Sequence, residues 1–136
     1  MSEASPGSPP LTLAAWWPRP DFCVVRASGD LDRTTAPTLT RHLQEQTAGR
    51  PRDLVLDLAE VRFLDAAGVA VIVNAQHNRH GIHGRLRLTG VTGNRPVERV
   101  LDITELRPVL DIHDDLEALL DRLAFRQHPG DQSLPT

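Results

Sequence analysis

Residues 54–69, LVLDLAEVRFLDAAGV, are the stretch from which the fold is best predicted. Residues 54–58 form a short apolar run between turn residues, which is typical of a buried β-strand. The next apolar run, residues 66–73, contains four β-branched side chains and would also suit a strand. However, Asp65 can cap a helix, and the polar residues that continue to Gly81 give this segment the length of a helix with a C-terminal glycine. We therefore predict a strand followed directly by a helix.

Outward from this unit, short apolar runs alternate with segments of helical periodicity, which favours an α/β fold. Strands at 11–17 and 22–27 are separated by Pro18-Arg19-Pro20-Asp21, which has turn chemistry, so they should form a hairpin. The other predicted elements are a helix capped by Thr34 or Thr35 and ending near Ala48-Gly49, a strand at 86–89, a helix around 97–101, a strand at 109–112 and a helix at 116–123. Residues 1–10 should be a flexible arm, 11–126 the folded domain and 127–136 a flexible tail.

The composition excludes several classes of enzyme and partner. All 15 basic residues are Arg, so no lysine is available as a Schiff-base former, phosphate-loop ligand or general base. The net charge is −3, and the sequence lacks the strongly basic stripe that is typical of nucleic-acid-binding proteins. Cys23 is the single cysteine, which excludes an internal disulfide, and it should be a buried thiol. No apolar run reaches the ~18 residues of a membrane span and no secretory signal is recognisable, so we expect a cytoplasmic protein.

The sequence contains none of the common motifs for catalysis or cofactor binding, such as a phosphate loop or a nucleophile elbow. Asp57 could be the phosphoacceptor of a receiver domain, but the lysine that such a site requires is absent. His77, His80 and His83 are spaced three apart, yet no acidic residue or cysteine lies nearby in sequence to complete a metal site. We therefore predict no catalytic residue, no cofactor and no metal, and interpret the histidines as a solvated helix end.

Two clusters of sequence, taken in this order, carry a family resemblance. The first is residues 28–37, SGDLDRTTAP, where a strand runs into a helix, and the second is residues 54–69. Together they resemble the STAS domain of anti-sigma-factor antagonists. Its members show a Gly-acid-Leu-Asp turn, a strand ending in Asp-Leu, and then Asp-Ser-Ser-Gly or Asp-Ser-Ala-Gly opening a helix. The resemblance spans about residues 11–123 and implies a STAS-like mixed β-sheet of about five strands flanked by about four helices.

The resemblance also implies a function. STAS antagonists of this kind bind an anti-sigma factor that is also a serine/threonine kinase with the ATPase fold of histidine kinases, and phosphorylation of a serine at the start of the second helix reverses the binding. A non-enzymatic bacterial signalling module, acting on transcription through protein–protein interaction, is therefore expected. Carried over residue by residue, the partner-binding surface consists of Asp30, Asp32, Arg33, Thr34, Asp65, Ala66, Ala67 and Gly68. The sequence also allows a homodimer. Two other roles are alternatives: a scaffold subunit of a STAS assembly, and a STAS module associated with nucleotides or lipid transport.

The sequence departs from the family at the phosphoacceptor. Ala67 stands before Gly68, where the family has its serine, and Ala66 precedes it, so neither position carries a hydroxyl. A phosphate would add close to two negative charges beside Asp30 and Asp32 and oppose binding. Without that acceptor, the chain is predicted to be a constitutive antagonist, a competitor of a phosphorylatable relative, or a scaffold component.

Three threonines are alternative phosphoacceptors. Thr34 and Thr35 lie on the turn that follows the first cluster's strand, and Thr89 lies at a strand end. Helix capping and turn hydrogen bonds are the ordinary roles of threonine at such positions, and we favour them here.

Overall fold

The computed structural model describes residues 11–46, 53–80 and 85–123, which form a mixed β-sheet with helices on both faces. The strands are β1 (Thr12–Arg19), β2 (Phe22–Leu31), β3 (Asp53–Leu64) and β4 (Leu86–Thr89), side by side in chain order. β1 and β2 are the antiparallel hairpin that was predicted, whereas β2–β3 and β3–β4 are parallel. The helices are α1 (Ala36–Gln46), α2 (Ala66–His80), α3 (Arg95–Ile103) and α4 (Leu116–Arg122). The predicted arm, the tail at 127–136, the helix end near 48–49 and Gly81 lie outside the described residues.

Alternation along β2 divides the core into two layers. Cys23, Val25 and Ala27 belong to the core cluster that α1, α2 and α3 complete, while Phe22 and Val24 belong to the cluster with α4. Successive side chains of a strand point to opposite faces, so a strand inside a sheet that is covered on both faces must be apolar throughout. The buried thiol of Cys23 and the helical character of the segment after β3 are both confirmed.

The prediction of a strand at 109–112 is wrong. Arg107–Val109 is a short 3-10 helix, and Ile112 makes only an isolated parallel bridge to β4. Pro108, just before the predicted strand, has a fixed φ that suits the first turn of a helix, and the 3-10 helix that contains it includes Val109. The sheet therefore has four strands in the described part of the chain rather than about five, and Val109 is exposed.

β3 continues well beyond the strand predicted at 54–58. Its pairing with β2 shifts register twice, between residues 57 and 60 and again between 61 and 63, and β3 has one extra residue at each shift. Such β-bulges bend a strand and break the regular alternation of sides. The sequence neighbours Arg62 and Phe63 are consequently both exposed at this end of the sheet.

Candidate functional site

The first predicted cluster is a turn between β2 and α1 that the side chain of Asp32 closes. The Asp32 carboxylate accepts hydrogen bonds from the backbone N–H of Thr34 at 2.9 Å and of Thr35 at 3.1 Å. The Thr35 hydroxyl accepts from the N–H of Asp32 at 3.0 Å and donates to the carbonyl of Asp30 at 2.8 Å. Short polar side chains stabilise turns in this way. The predicted cap is thus corrected: Asp32 binds the N–H groups before α1, and the Thr35 side chain fixes the turn.

The second predicted cluster begins α2. The Asp65 carboxylate accepts hydrogen bonds from the N–H of Ala67 at 2.9 Å and of Gly68 at 3.1 Å. The first N–H groups of a helix have no partner inside the helix, so a side-chain acceptor at this position stabilises it. The negative charge also lies at the positive end of the helix dipole. The capping role predicted for Asp65 is confirmed.

The two turns lie side by side because α2 begins against the end of β2. The N–H of Asp65 donates to the carbonyl of Leu31 at 3.3 Å. A Cβ added at Gly68 would lie 2.7 Å from that same carbonyl oxygen and 2.6 Å from Cδ1 of Leu64, closer than real Cβ atoms approach. Glycine at this position therefore allows the close packing that brings residues 30–34 and 65–68 to one edge of the sheet.

Exposure distinguishes the residues that can contact a partner from those that build the surface. The predicted residues divide into exposed Arg33, Thr34 and Ala66, half-buried Asp30, Asp32, Asp65 and Ala67, and buried Gly68. Gly68 therefore acts through packing, although the resemblance placed it on the binding surface. Ala66 and Ala67 thus present only methyl side chains at the start of α2, directly after the Asp65 carboxylate.

The three alternative phosphoacceptors are not equivalent. Thr89 is 0% exposed, and its hydroxyl donates to the Asp57 carboxylate at 2.9 Å, so a kinase cannot reach it in the folded domain. The Thr35 hydroxyl is occupied in the turn described above and is half-buried. Of the three, Thr34 alone has an exposed side chain.

One buried ion pair on the α4 face of the sheet was not predicted. Asp57 is 2% exposed, and it accepts from Nε of Arg26 at 2.8 Å and from the Thr89 hydroxyl at 2.9 Å. The Arg26 guanidinium also lies 5.6 Å from the ring centroid of Trp16, within range of a cation–π interaction. Because both oxygens of Asp57 are occupied, the geometry argues against a receiver-type phosphoacceptor. The sequence signal was one charged residue in each of the apolar runs 22–27 and 54–58, since buried charges are nearly always paired.

The described residues also bear on metal ligation and on membrane crossing. Among them, no group of three or more His, Cys, Asp or Glu side chains could hold a metal ion. His77 is exposed on α2, and His83 lies outside the described residues. Within the same part of the chain, every helix is too short or too polar to cross a membrane.

Comparison with known proteins agrees with the fold described above. A family model described as the STAS domain matches residues 18–119. An anti-sigma F factor antagonist of Paenibacillus polymyxa is 30% identical over 93 residues, which is 68% of this chain and 78% of the relative. An anti-sigma-B factor antagonist of Staphylococcus epidermidis is 27% identical over 97 residues, which is 71% of this chain and 88% of the relative. The crystal structure of an anti-sigma factor antagonist from Mycobacterium paratuberculosis shares the fold, with a TM-score of 0.69 at 24% identity over 90% of this chain and 99% of that one.

Proposed function

The chain belongs to the STAS-domain family, and on that premise we propose that it is a protein-binding regulatory module that antagonises an anti-sigma factor. The curated relatives carry this activity in their names. The observation that carries the proposal is the junction of the two turns, because it joins residues 30–34 and 65–68 into one surface. The surface acts by binding and not by catalysis. Its partner is an anti-sigma factor with kinase activity and a histidine-kinase-like ATPase fold, which places the chain in the cytoplasm.

The chemistry of this surface supports a protein partner. Ala66 and Ala67 offer a flat apolar centre against which a partner helix can pack closely. Asp30, Asp32 and Arg33 surround it with charge, an arrangement in which the centre supplies desolvation and the rim supplies orientation. The hydrogen bonds of Asp32 hold the turn, and the Asp65 cap holds the start of α2, so little conformational entropy is lost on binding.

Ala67 makes the proposed activity independent of phosphorylation at the family's usual position. A methyl group has no oxygen to which a kinase could transfer phosphate. A phosphate at this position would also face the Asp65 carboxylate, which already occupies the N–H groups of Ala67 and Gly68. The chain therefore stays competent to bind while a phosphorylatable relative would be switched off.

Isothermal titration calorimetry with each purified anti-sigma factor encoded in the source genome tests this proposal. We expect one of them to bind the wild-type chain, and Ala67→Glu to weaken that binding by more than tenfold, about 1.4 kcal/mol. Because Ala67 is half-buried against the core, circular dichroism must first show that the Ala67→Glu variant is folded like the wild type. Ala14→Glu places the same side chain at an exposed position of β1 and should leave the affinity unchanged.

The proposal fails if none of the anti-sigma factors binds, or if both glutamate variants bind as tightly as the wild type. Size-exclusion chromatography with light scattering on the free chain distinguishes a monomer from a homodimer and from a larger STAS assembly.

A further inference from the structure

A groove lies between the bulged end of β3 and the outer surface of α3, next to the start of α2. Its volume is about 710 Å³. The lining includes Arg62, Phe63 and Leu64 from β3 and Arg95, Arg99 and Ile103 from α3. Phe63 is 48% exposed and Ile103 is 72% exposed, so two large apolar side chains of the groove lining face water. Paired exposure of this kind is typical of an interaction surface.

The groove also carries three cations that no side chain of the described residues pairs with. Within the described residues, the side chains of Arg62, Arg95 and Arg99 make neither a hydrogen bond nor an ion pair. Arg95, Arg99 and Ile103 recur at every fourth residue of α3, so they line one face of that helix. The result is a basic wall along α3 opposite the exposed Arg62 and Phe63 of β3.

The two carboxylates of the same groove offset this charge only in part, because both pair with a fourth arginine, Arg107. Nε of Arg107 lies 2.6 Å from the Asp102 carboxylate, and its Nη2 lies 3.7 Å from Glu98. The hydrogen bond to Asp102 raises the pKa of Arg107. Glu98 in addition accepts from the N–H of Gly93 at 3.0 Å. Four arginines therefore face two carboxylates around the groove, and the local charge is positive in a chain whose net charge is −3.

The two walls of the groove are fixed relative to each other. The side-chain amide of Asn94, just before α3, donates to the carbonyl of Leu58 at 2.8 Å and to that of Val61 at 2.9 Å. These carbonyls flank the first bulge of β3, so one side chain ties the bulge to the start of α3. On the inner face of α3, Val97 and Leu101 are 0% exposed and anchor the helix to the core. The groove is thus preformed, which lowers the entropy lost when a ligand binds.

We propose that this groove binds an acidic segment with interspersed apolar side chains, supplied by the partner protein. Carboxylates of the segment pair with Arg62, Arg95 and Arg99, since a guanidinium can donate two parallel hydrogen bonds to a carboxylate. Its apolar side chains cover Phe63 and Ile103. The identity of the partner rests on the proposed function: a protein seated on the start of α2 reaches the groove directly, because Leu64 in the groove wall precedes the α2 cap.

Fluorescence anisotropy with the full chain and a short labelled peptide, in which leucines alternate with pairs of glutamates, tests the groove without any knowledge of the partner. Two matched peptides carry lysine in place of glutamate or serine in place of leucine. We expect the first peptide to bind, the lysine peptide not to bind, and the serine peptide to bind more weakly. Arg62→Glu and Arg99→Glu should each weaken binding by roughly tenfold. Arg41→Glu, at an exposed position of α1, should have no effect.

Every other result overturns the inference. Failure of the glutamate–leucine peptide to bind excludes the groove as a site for acidic segments. Equal binding of the lysine peptide, or an affinity that Arg62→Glu and Arg99→Glu leave unchanged, shows that these arginines do not select the ligand. Ala67→Glu should not alter peptide binding although it weakens the anti-sigma factor complex. The peptide experiment therefore tests the groove independently of the anti-sigma factor experiment, which tests the proposed function.

Discussion

Gly68→Ala is the substitution for which the structure gives the sharpest expectation. In an isolated helix, replacing glycine by alanine stabilises the helix by about 1 kcal/mol. Here the new Cβ would lie 2.7 Å from the Leu31 carbonyl oxygen, 2.8 Å from Leu31 Cγ and 2.6 Å from Leu64 Cδ1. The higher helix propensity of alanine thus raises the free energy of unfolding, whereas the steric overlap lowers it.

The steric term should be the larger one. The Cδ1 end of Leu64 can rotate away, but the Leu31 carbonyl belongs to β2 and also accepts the N–H of Asp65, so it cannot withdraw without loss of that bond. Overpacking of a dense site costs typically about 1–3 kcal/mol, and we expect about 2–3 kcal/mol here because one of the overlapping atoms is a backbone oxygen. After the propensity gain is subtracted, we expect the free energy of unfolding to fall by about 1–2 kcal/mol.

Urea denaturation followed by circular dichroism measures this difference. Ala70→Gly is the matched control, because Ala70 is exposed on the same helix and should show the propensity effect alone, a loss of about 0.5–1 kcal/mol. Equal or higher stability of Gly68→Ala would refute the reasoning, since it would mean that α2 does not approach the end of β2 as closely as described.

Three further substitutions test contacts around the site. Asp65→Ala should lower the free energy of unfolding by about 1 kcal/mol through loss of the α2 cap, and Asp65→Ser should recover most of it; lost partner binding at unchanged stability would instead make Asp65 a contact residue. Arg26→Ala leaves the buried carboxylate of Asp57 with one partner fewer and should lower the free energy of unfolding, measured by urea denaturation, by about 1–3 kcal/mol. The 38% exposure of Arg26 limits this loss. A similar loss for exposed Arg41→Ala would show that the ion pair is not the cause. Asn94→Asp directs a carboxylate at two carbonyls and should lower the melting temperature more than Asn94→Ala does; the reverse order would contradict the contact that ties α3 to β3.

The parts of the fold that follow from local chemistry could be predicted from the sequence. Asp65 and the polar residues toward Gly81 decided that the apolar segment after β3 is a helix, although its β-branched content also suited a strand. The turn residues 18–21 gave the β1–β2 hairpin, and the apolar run 54–58 gave the buried part of β3. In each case the signal lies within a few residues of the feature.

The parts that depend on distant contacts could not be predicted. The extension of β3 through two bulges requires the register with β2, and no local pattern marks it. The packing role of Gly68 depends on the position of Leu31, so the residue looked like one more member of a binding motif. The strand predicted at 109–112 shows the converse error, because a short apolar run favoured a strand although it overlaps the 3-10 helix that Pro108 helps to begin. The groove beside α3 could not be predicted either, because its two walls depend on the second bulge of β3 and on the position of α3 against the sheet.

The account is tested most directly by mixing the purified chain with the anti-sigma factor that binds it, adding Mg²⁺ and ATP, and following the complex and the mass of each chain by native and intact mass spectrometry. The complex of the wild-type chain should persist, and the chain should carry no phosphate, whereas Ala67→Ser should be phosphorylated and released. Release of the wild-type chain on addition of ATP, or a phosphate on its exposed Thr34, would contradict the claim that Ala67 keeps this chain in its binding-competent state.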